Sequence, residues 1–136
     1  MTLKDMITRV RAYTRDTTGS LFTQEDIVGF VNEGIDRTRR YKKLSKMSYL
    51  VNLSDEPTYL PQQYHHLLAL YATSRCFTQD EQLTQAQQFM NEYEYKTSEM
   101  QQLIENGELE IIPPDTDLSD LDMDSVKNVY FTEGTY

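Results

Sequence analysis

The chain has 136 residues, a single cysteine and a formal net charge of −9. This length supports one domain with a modest core, and one cysteine excludes an internal disulfide framework. No long apolar run or charged-then-apolar leader is present, which argues against a membrane span or secretion, so we expect a soluble intracellular product.

The charge is unevenly distributed along the chain. Residues 1–48 carry a net charge of +4, whereas residues 49–136 carry −13. This polarity suits head-to-tail contacts between copies in a ring, or an acidic wall beside a polyanion. It also suits two solvated faces, which composition alone favours.

Two amphipathic helices are predicted in the first third of the chain. Thr2 and Asp5 have the spacing of a capping box, and apolar residues then keep to one side as far as about Arg15. After a polar loop that contains Gly19, Thr23 is predicted to cap a second helix. The helical period gives this helix the following inward face: Ile27, Phe30, Val31, Gly34, Thr38 and Tyr41.

The second helix is predicted to become basic towards its end. The cations are Arg37, Arg39, Arg40, Lys42, Lys43 and Lys46. They are spread around the helix, and neither polar base-reading residues nor a helix-turn-helix accompanies them. Three roles stay open for these cations: a solvated last turn that favours the helix dipole, a site for an acidic protein partner, or a contact with nucleic-acid phosphate.

Residues 47–60 have a different pattern from the helices. Tyr49, Val51 and Leu53 alternate with other residues before Pro57 ends the run, which is typical of a strand followed by a turn. We therefore predict a short β-hairpin or an extended arm between two helical pairs. Because an isolated two-stranded ribbon is marginal in water, the arm should pair with another copy or lie on the helices.

A long antiparallel helical hairpin is predicted between Leu60 and Gly107. Pro61 suits the first position of a helix, and the capping-box spacing of Thr78 and Glu81 predicts a turn near residues 77–80. The seam of the second helix recurs at steps of three and four residues: Leu83, Ala86, Met90, Tyr93, Thr97, Met100 and Ile104. Together these elements predict an all-α fold, a small bundle of about four helices spanning residues 1–107.

Residues 108–136 are predicted to form an acidic, extended C-terminal tail. Residues 108–124 contain no basic residue and include the rigid Pro113-Pro114 pair. Scattered apolar residues could add a strand to a neighbour or fill its pockets: Ile111, Ile112, Val126, Val129, Tyr130 and Phe131. Whether the tail orders against another subunit or has no partner stays open.

No enzyme site is predicted. His65 and His66 are adjacent on a helix, about 100° apart, and cannot face one metal together. Cys76 lacks a suitably placed base, which favours a core or interface thiol. The alternating acids from Asp120 to Asp124 lack the glycine and closing glutamate of a calcium loop, and phosphate-cradling glycine motifs are absent. We therefore predict no catalytic residue, cofactor or metal.

Two segments carry a resemblance to a known family. The first combines a loop, a helix start and an Asn-Glu pair: Phe22-Thr23, Ile27 and Val31-Asn32-Glu33-Gly34-Ile35. The second combines leucine-proline, two polar residues, a tyrosine and an apolar helix: Leu60-Pro61-Gln62-Gln63-Tyr64-His65-His66-Leu67-Leu68-Ala69-Leu70-Tyr71-Ala72. With the short helix that precedes them, these segments resemble the head-tail connector adaptors of tailed bacteriophages over about residues 2–107.

The resemblance implies a structural protein of the virion, located at the head-tail junction. It implies a homo-oligomer, a twelve-membered ring beneath the portal protein that contacts a neck or tail-completion protein. DNA would pass through its lumen without sequence-specific binding, and no membrane is involved. Helix pairs 2–43 and 61–106 would form the ring, the arm at 47–60 would reach a neighbour or the tail-side component, and the C-terminal segment would dock to the portal.

The predicted partner-binding residues combine the basic helix end, the arm and the tail. They are Arg37, Arg39, Arg40, Lys42, Lys43, Tyr49, Val51, Leu53, Ile111, Ile112, Val129, Tyr130 and Phe131. The alternative function is a DNA-binding or regulatory helical protein that uses the same basic end of the second helix.

Overall fold

The structure is a computed structural model that describes residues 1–16 and 18–114. It contains four α-helices, α1 (Leu3–Thr14), α2 (Gln24–Thr38), α3 (His66–Gln79) and α4 (Leu83–Glu105). Short 3₁₀ turns lie at Lys42–Leu44 and Gln62–Tyr64. These two ranges contain no strand, so the predicted all-α class is confirmed. Val126, Val129, Tyr130 and Phe131 lie outside the described residues.

Local capping interactions begin the first two helices. The Thr2 hydroxyl accepts from the Asp5 N–H at 3.2 Å, and the Asp5 carboxylate accepts from the Thr2 N–H at 3.0 Å. Thr23 and Asp26 form the same reciprocal pair at the start of α2, with distances of 3.0 and 3.2 Å. Each pair satisfies two N–H groups that have no partner within the helix. Both helix starts therefore lie where the sequence predicts them.

Helix α3 is the centre of the bundle. It contacts all three other helices, and every residue from Leu67 to Ser74 is buried, as expected for a helix surrounded by other elements. A Cβ atom placed on Gly34 of α2 would lie only 3.1 Å from Cδ2 of Tyr71. Glycine at this position therefore lets α2 approach α3 closely.

Side-chain contacts show that α3 and α4 run in opposite directions. The Ser74 hydroxyl donates to the Ala86 carbonyl at 2.7 Å, while Tyr64, just before α3, donates to the Glu99 carboxylate at 2.9 Å. Helices α3 and α4 are therefore the predicted antiparallel hairpin.

The bundle has two ends. At the end that we call the Thr38 end, α2 and α4 finish while α1 and α3 begin.

The opposite end, here called the Phe89 end, is closed by aromatic packing. The Phe89 ring centroid lies 5.1 Å from that of Tyr13 and 5.6 Å from that of Phe77. Ring pairs at these separations stabilise a contact beyond the area they bury. The ends of α1 and α3 are thereby joined to the start of α4.

Three details of the predicted helices are wrong. Helix α2 ends at Thr38, because burial of Leu44 and Met47 in the core requires the chain to turn back before them. Helix α3 begins after the turn at Gln62–Tyr64 and continues through Thr78, whose hydroxyl bonds to the Ser74 carbonyl instead of capping α4. Leu83, predicted in the seam of α4, is 66% exposed because it starts the helix at the edge of the bundle.

The segment 47–60 contains no strand, so the predicted β-hairpin is not confirmed. The Asn32 side chain instead bonds to both backbone groups of Leu50, at 2.9 and 3.0 Å, as a paired strand would. The carbonyls of Leu53 and Asp55 accept from the Lys4 and Leu3 N–H groups at the start of α1. The segment therefore lies on the helices of its own chain.

Candidate interaction surface

The described members of the predicted partner-binding set all lie at the Thr38 end or on the segments that begin there. Arg37 lies in the last turn of α2, and Arg40 and the two lysines follow it directly. The segment 47–60 crosses this end to reach the start of α1, and the chain after α4 returns to the same place. Folding thus brings together residues that are far apart in sequence.

Two of the predicted cations form ion pairs with α4. Arg37 lies 2.8 Å from the Glu94 carboxylate, and Lys43 lies 3.4 Å from that of Glu105. Tyr41 donates a hydrogen bond to Glu105, and this bond, with burial and the negative charge, raises the pKa of Tyr41 to about 12. The same hydrogen bond and Lys43 lower the pKa of Glu105. These contacts attach the chain after α2 to the end of α4.

Arg39 holds the segment 47–60 onto α2. Its guanidinium donates to the Met47 carbonyl at 3.0 Å, to Asp36 at 2.8 Å and to the Tyr49 hydroxyl at 2.9 Å. It also lies over the Tyr49 ring, 4.6 Å from the centroid. Since its donors are used within the chain, the structure assigns Arg39 an anchoring role.

The remaining two cations of the predicted set are not paired with acids. Arg40 and Lys42 are both exposed, and neither has a carboxylate within 4.0 Å among residues 1–16 and 18–114. An exposed cation without an acidic neighbour keeps its full attraction for an anionic group. Arg40 and Lys42 are therefore the strongest basic contact points at the Thr38 end.

The segment 47–60 has a buried side and an exposed side. Met47 and Leu50 are buried, whereas Tyr49, Val51 and Leu53 are 47%, 76% and 42% exposed. Burial does not alternate strictly along this segment, because Met47 and Leu50 lie in the core while every residue from Val51 to Ser54 is exposed. The exposed side presents three apolar side chains next to the cations.

The chain after α4 packs back against the bundle. Leu109 and Ile111 are half-buried against the core, while Ile112 is 71% exposed. A cleft of about 590 Å³ separates residues 109–114 from residues 56–65. The described start of the predicted tail therefore contacts the core, and Ile111 and Ile112 have different environments.

A polar cleft of about 640 Å³ separates the end of α2 from α4, and we call it the α2/α4 cleft. Its lining residues are Arg37, Thr38, Arg40, Tyr41, Tyr93, Glu94, Thr97, Ser98 and Gln101. Thr38 and Tyr93 share a hydrogen bond of 2.8 Å, whereas the buried Thr97 hydroxyl has no partner in the described part of the chain. The polar residues of α4 that line the cleft recur at steps of three and four. This pattern is visible in the sequence, but it lies beside the more prominent apolar seam of the same helix.

His65 and Cys76 are buried, and His66 is half-buried. Desolvation lowers the pKa of His65, whose Nε2 lies 3.0 Å from the Leu60 carbonyl, and it also lowers the pKa of His66. Burial raises the pKa of Cys76 to about 12, so its thiol stays protonated at neutral pH. Cys76 is the predicted core thiol.

Two negative findings concern the described ranges 1–16 and 18–114. No group of three or more His, Cys, Asp or Glu side chains is arranged there to hold a metal ion. No helix in these ranges is long and apolar enough to cross a membrane.

Comparison of the chain with protein-family models, with curated proteins and with solved structures found no match.

Proposed function

We propose that this protein is a structural adaptor of a tailed-phage virion, a ring subunit that joins the portal to the neck or tail and lets DNA pass through its lumen. The supporting observation is the exposure of Tyr49, Val51 and Leu53, which lie on a segment whose Met47 and Leu50 are buried in the bundle. Contiguous exposed apolar side chains mark protein contacts. The described members of the predicted partner-binding set lie near this exposed surface, which supports the proposal.

The charges favour a protein partner over DNA. Three of the five cations predicted to bind partners, Arg37, Arg39 and Lys43, lie within 3.4 Å of a carboxylate. Nearby carboxylates repel phosphate and reduce the number of counterions that binding would release. An interface of apolar side chains surrounded by mixed charges is typical of protein–protein contacts.

The experiment that tests this proposal is mass measurement by light scattering. The full chain is measured alone and after mixing with the portal protein encoded in the same genome. We expect a ring to form, either alone or only with the portal. A strict monomer that ignores the portal would overturn the proposal.

A matched pair of variants locates the contact. Val51→Ser with Leu53→Ser removes the exposed apolar side and should weaken assembly about tenfold or more, since each buried aliphatic contact is worth about 1–2 kcal/mol. Leu83→Ser is the control, because Leu83 is equally exposed but lies at the Phe89 end. Equal loss with both variants would show that this surface is not the interface.

The alternative, a DNA-binding protein, rests on exposed Arg40 and Lys42. Its expected result is duplex binding that weakens steeply with salt and weakens further in Arg40→Gln and Lys42→Gln. Under the adaptor proposal, any weak duplex binding is independent of the base sequence. It stays independent of the base sequence in both variants.

A further inference from the structure

The α2/α4 cleft has a binding capacity that the interactions within the chain do not use. Arg40 lines it without a carboxylate within 4.0 Å in the described ranges, and the buried Thr97 hydroxyl faces no hydrogen-bond partner there. Ser98, the next residue, and Gln101, one turn further along α4, add donors to the cleft. A planar guanidinium beside hydroxyl and amide donors is suited to a carboxylate, which accepts hydrogen bonds only.

We propose that this cleft binds the acidic stretch 115–124 of a second copy of the chain. That stretch contains five aspartates and no basic residue: Asp115, Asp117, Asp120, Asp122 and Asp124. Leu118, Leu121 and Met123 lie between them and can cover the apolar parts of the cleft walls. The proposed occupant is thus an acidic peptide segment, because its negative charge complements the arginines of the cleft.

A ring requires two different complementary surfaces on each subunit, because its contacts are heterologous. The basic cleft and the acidic stretch form such a pair. Residues 115–136 follow Pro114, and ten extended residues span about 33 Å, enough to cross to a neighbouring subunit. This inference rests on the proposed function and deepens it by naming what one face of the subunit binds.

Glu94 limits the strength of this contact. Its carboxylate lies 2.8 Å from Arg37 and lines the same cleft, so it competes with an incoming carboxylate for that guanidinium. Glu94→Gln removes the competing charge and frees Arg37. A second copy should then bind about threefold more tightly, the opposite of the usual result of deleting an ion pair.

The test uses sedimentation velocity on full-length chains at low ionic strength, where exposed charges are least screened. Arg40→Asp breaks the cleft, and Asp117→Lys with Asp120→Lys and Asp122→Lys reverses the acidic stretch. Each variant alone should associate at least about tenfold more weakly than the unmodified chain. An equimolar mixture should form dimers, because the unmodified stretch of the first variant fits the intact cleft of the second.

Lys46→Asp is the matched control, since it makes the same change of charge at an exposed residue outside the cleft. Its association should stay within about twofold of the unmodified chain. The inference is overturned if the unmodified chain stays monomeric at its highest soluble concentration, if Arg40→Asp has no more effect than Lys46→Asp, or if the mixture forms no dimer. Rings that form on the portal in spite of these results would leave the proposed function standing without this contact.

Discussion

The two nonhelical connections that precede α2 and α3 are built differently. The first, from Asp16 to Thr23, closes around one buried carboxylate. Asp16 accepts from the Phe22 N–H at 2.9 Å, from the Leu21 N–H at 3.2 Å and from the Arg11 guanidinium at 3.2 Å. The Asp16 carboxylate therefore satisfies two backbone N–H groups of this connection and joins it to α1.

The second connection, from Arg39 to His65, is held at separate points. Asn32 binds the backbone of Leu50, Arg39 binds Met47, and the Asp55 carboxylate accepts from the N–H groups of the turn before it. Its apolar side chains divide between the core and the surface. The short connection closes around one carboxylate and, among its described residues, exposes a single large apolar side chain, Leu21, whereas the long connection is fixed at intervals and exposes three.

The largest expected effect tests the buried side of the long connection. Leu50→Ala should lower the free energy of unfolding by about 3 kcal/mol, or the midpoint of thermal unfolding by about 12 °C, because it opens a cavity in the core. The adjacent Val51→Ala is the control and should change stability by less than about 0.5 kcal/mol. Similar losses of stability from both variants would contradict the burial of Leu50 and the exposure of Val51.

The next effect tests the short connection. Asp16→Ala leaves the buried Phe22 N–H and the Arg11 guanidinium without their acceptor, and the midpoint of thermal unfolding should fall by about 8 °C. Asp16→Asn keeps an acceptor oxygen and should recover part of this loss. A change of less than about 2 °C for Asp16→Ala would show that the connection does not depend on this carboxylate.

A smaller effect is expected at the attachment between Asn32 and Leu50. Asn32→Ala removes two hydrogen bonds that water can partly replace, so the cost should be about 1.5 kcal/mol. Hydrogen exchange should speed up at Leu50 and neighbouring amides while the amides of α3 keep their protection. Ser54→Ala, an exposed change on the same connection, should alter neither quantity. Uniformly faster exchange would mean that the connection does not open by itself.

The smallest effect is a dependence of stability on pH. Burial lowers the pKa of His65 below its ordinary value of 6.5, so the unfolded chain binds this proton more tightly than the folded chain. The contribution to stability is full above pH 6.5 and is lost as the pH falls through the lowered folded pKa. His66, whose pKa is lowered by burial and by nearby Lys96 and Arg9, acts in the same direction.

Asp16 titrates in a lower window. Burial alone would raise its pKa, but the N–H donors of Phe22 and Leu21 and the charge of Arg11 outweigh burial and lower it. Its contribution is present above pH 3.8 and is lost as the pH falls through the lowered folded pKa.

The contribution of His65 is tested by thermal unfolding of His65→Gln between pH 7 and 5. The unfolding midpoint of this variant should depend less steeply on pH than that of the unmodified chain. An equal slope would exclude His65 as the source of the pH dependence.

Several features of the fold were predictable because neighbouring residues determine them. Both capping boxes join residues three apart, and the seam of α4 is buried at Ala86, Tyr93, Met100 and Ile104. The predictions of helix boundaries were wrong where a local sequence signal competed with packing in the core. Thr78 has the spacing of a cap, yet the helix continued through it because Cys76 and its neighbours are buried in the core.

The candidate surface was predictable in part. The burial of Leu50 between exposed Tyr49 and Val51 fits the alternation in the sequence, whereas the burial of Met47 and the exposure of Asn52 do not. The use of Arg39 as an anchor was not predictable, because a list of cations does not show which ones meet an acid or a carbonyl. The polar lining of the α2/α4 cleft was also missed, since its two walls are separated by about 60 residues.

The sequence by itself determined where α1 and α2 begin, most of the residues that the helices bury and how the charge is divided, because these depend on residues a few positions apart. Only the tertiary structure decided that Asn32 holds a segment 18 residues away and that Arg37 meets Glu94 across 57 residues. Such contacts depend on how α2, α3 and α4 pack, and packing is set by the shape of the whole core rather than by any one segment. The same packing decided which cations stayed available to a partner.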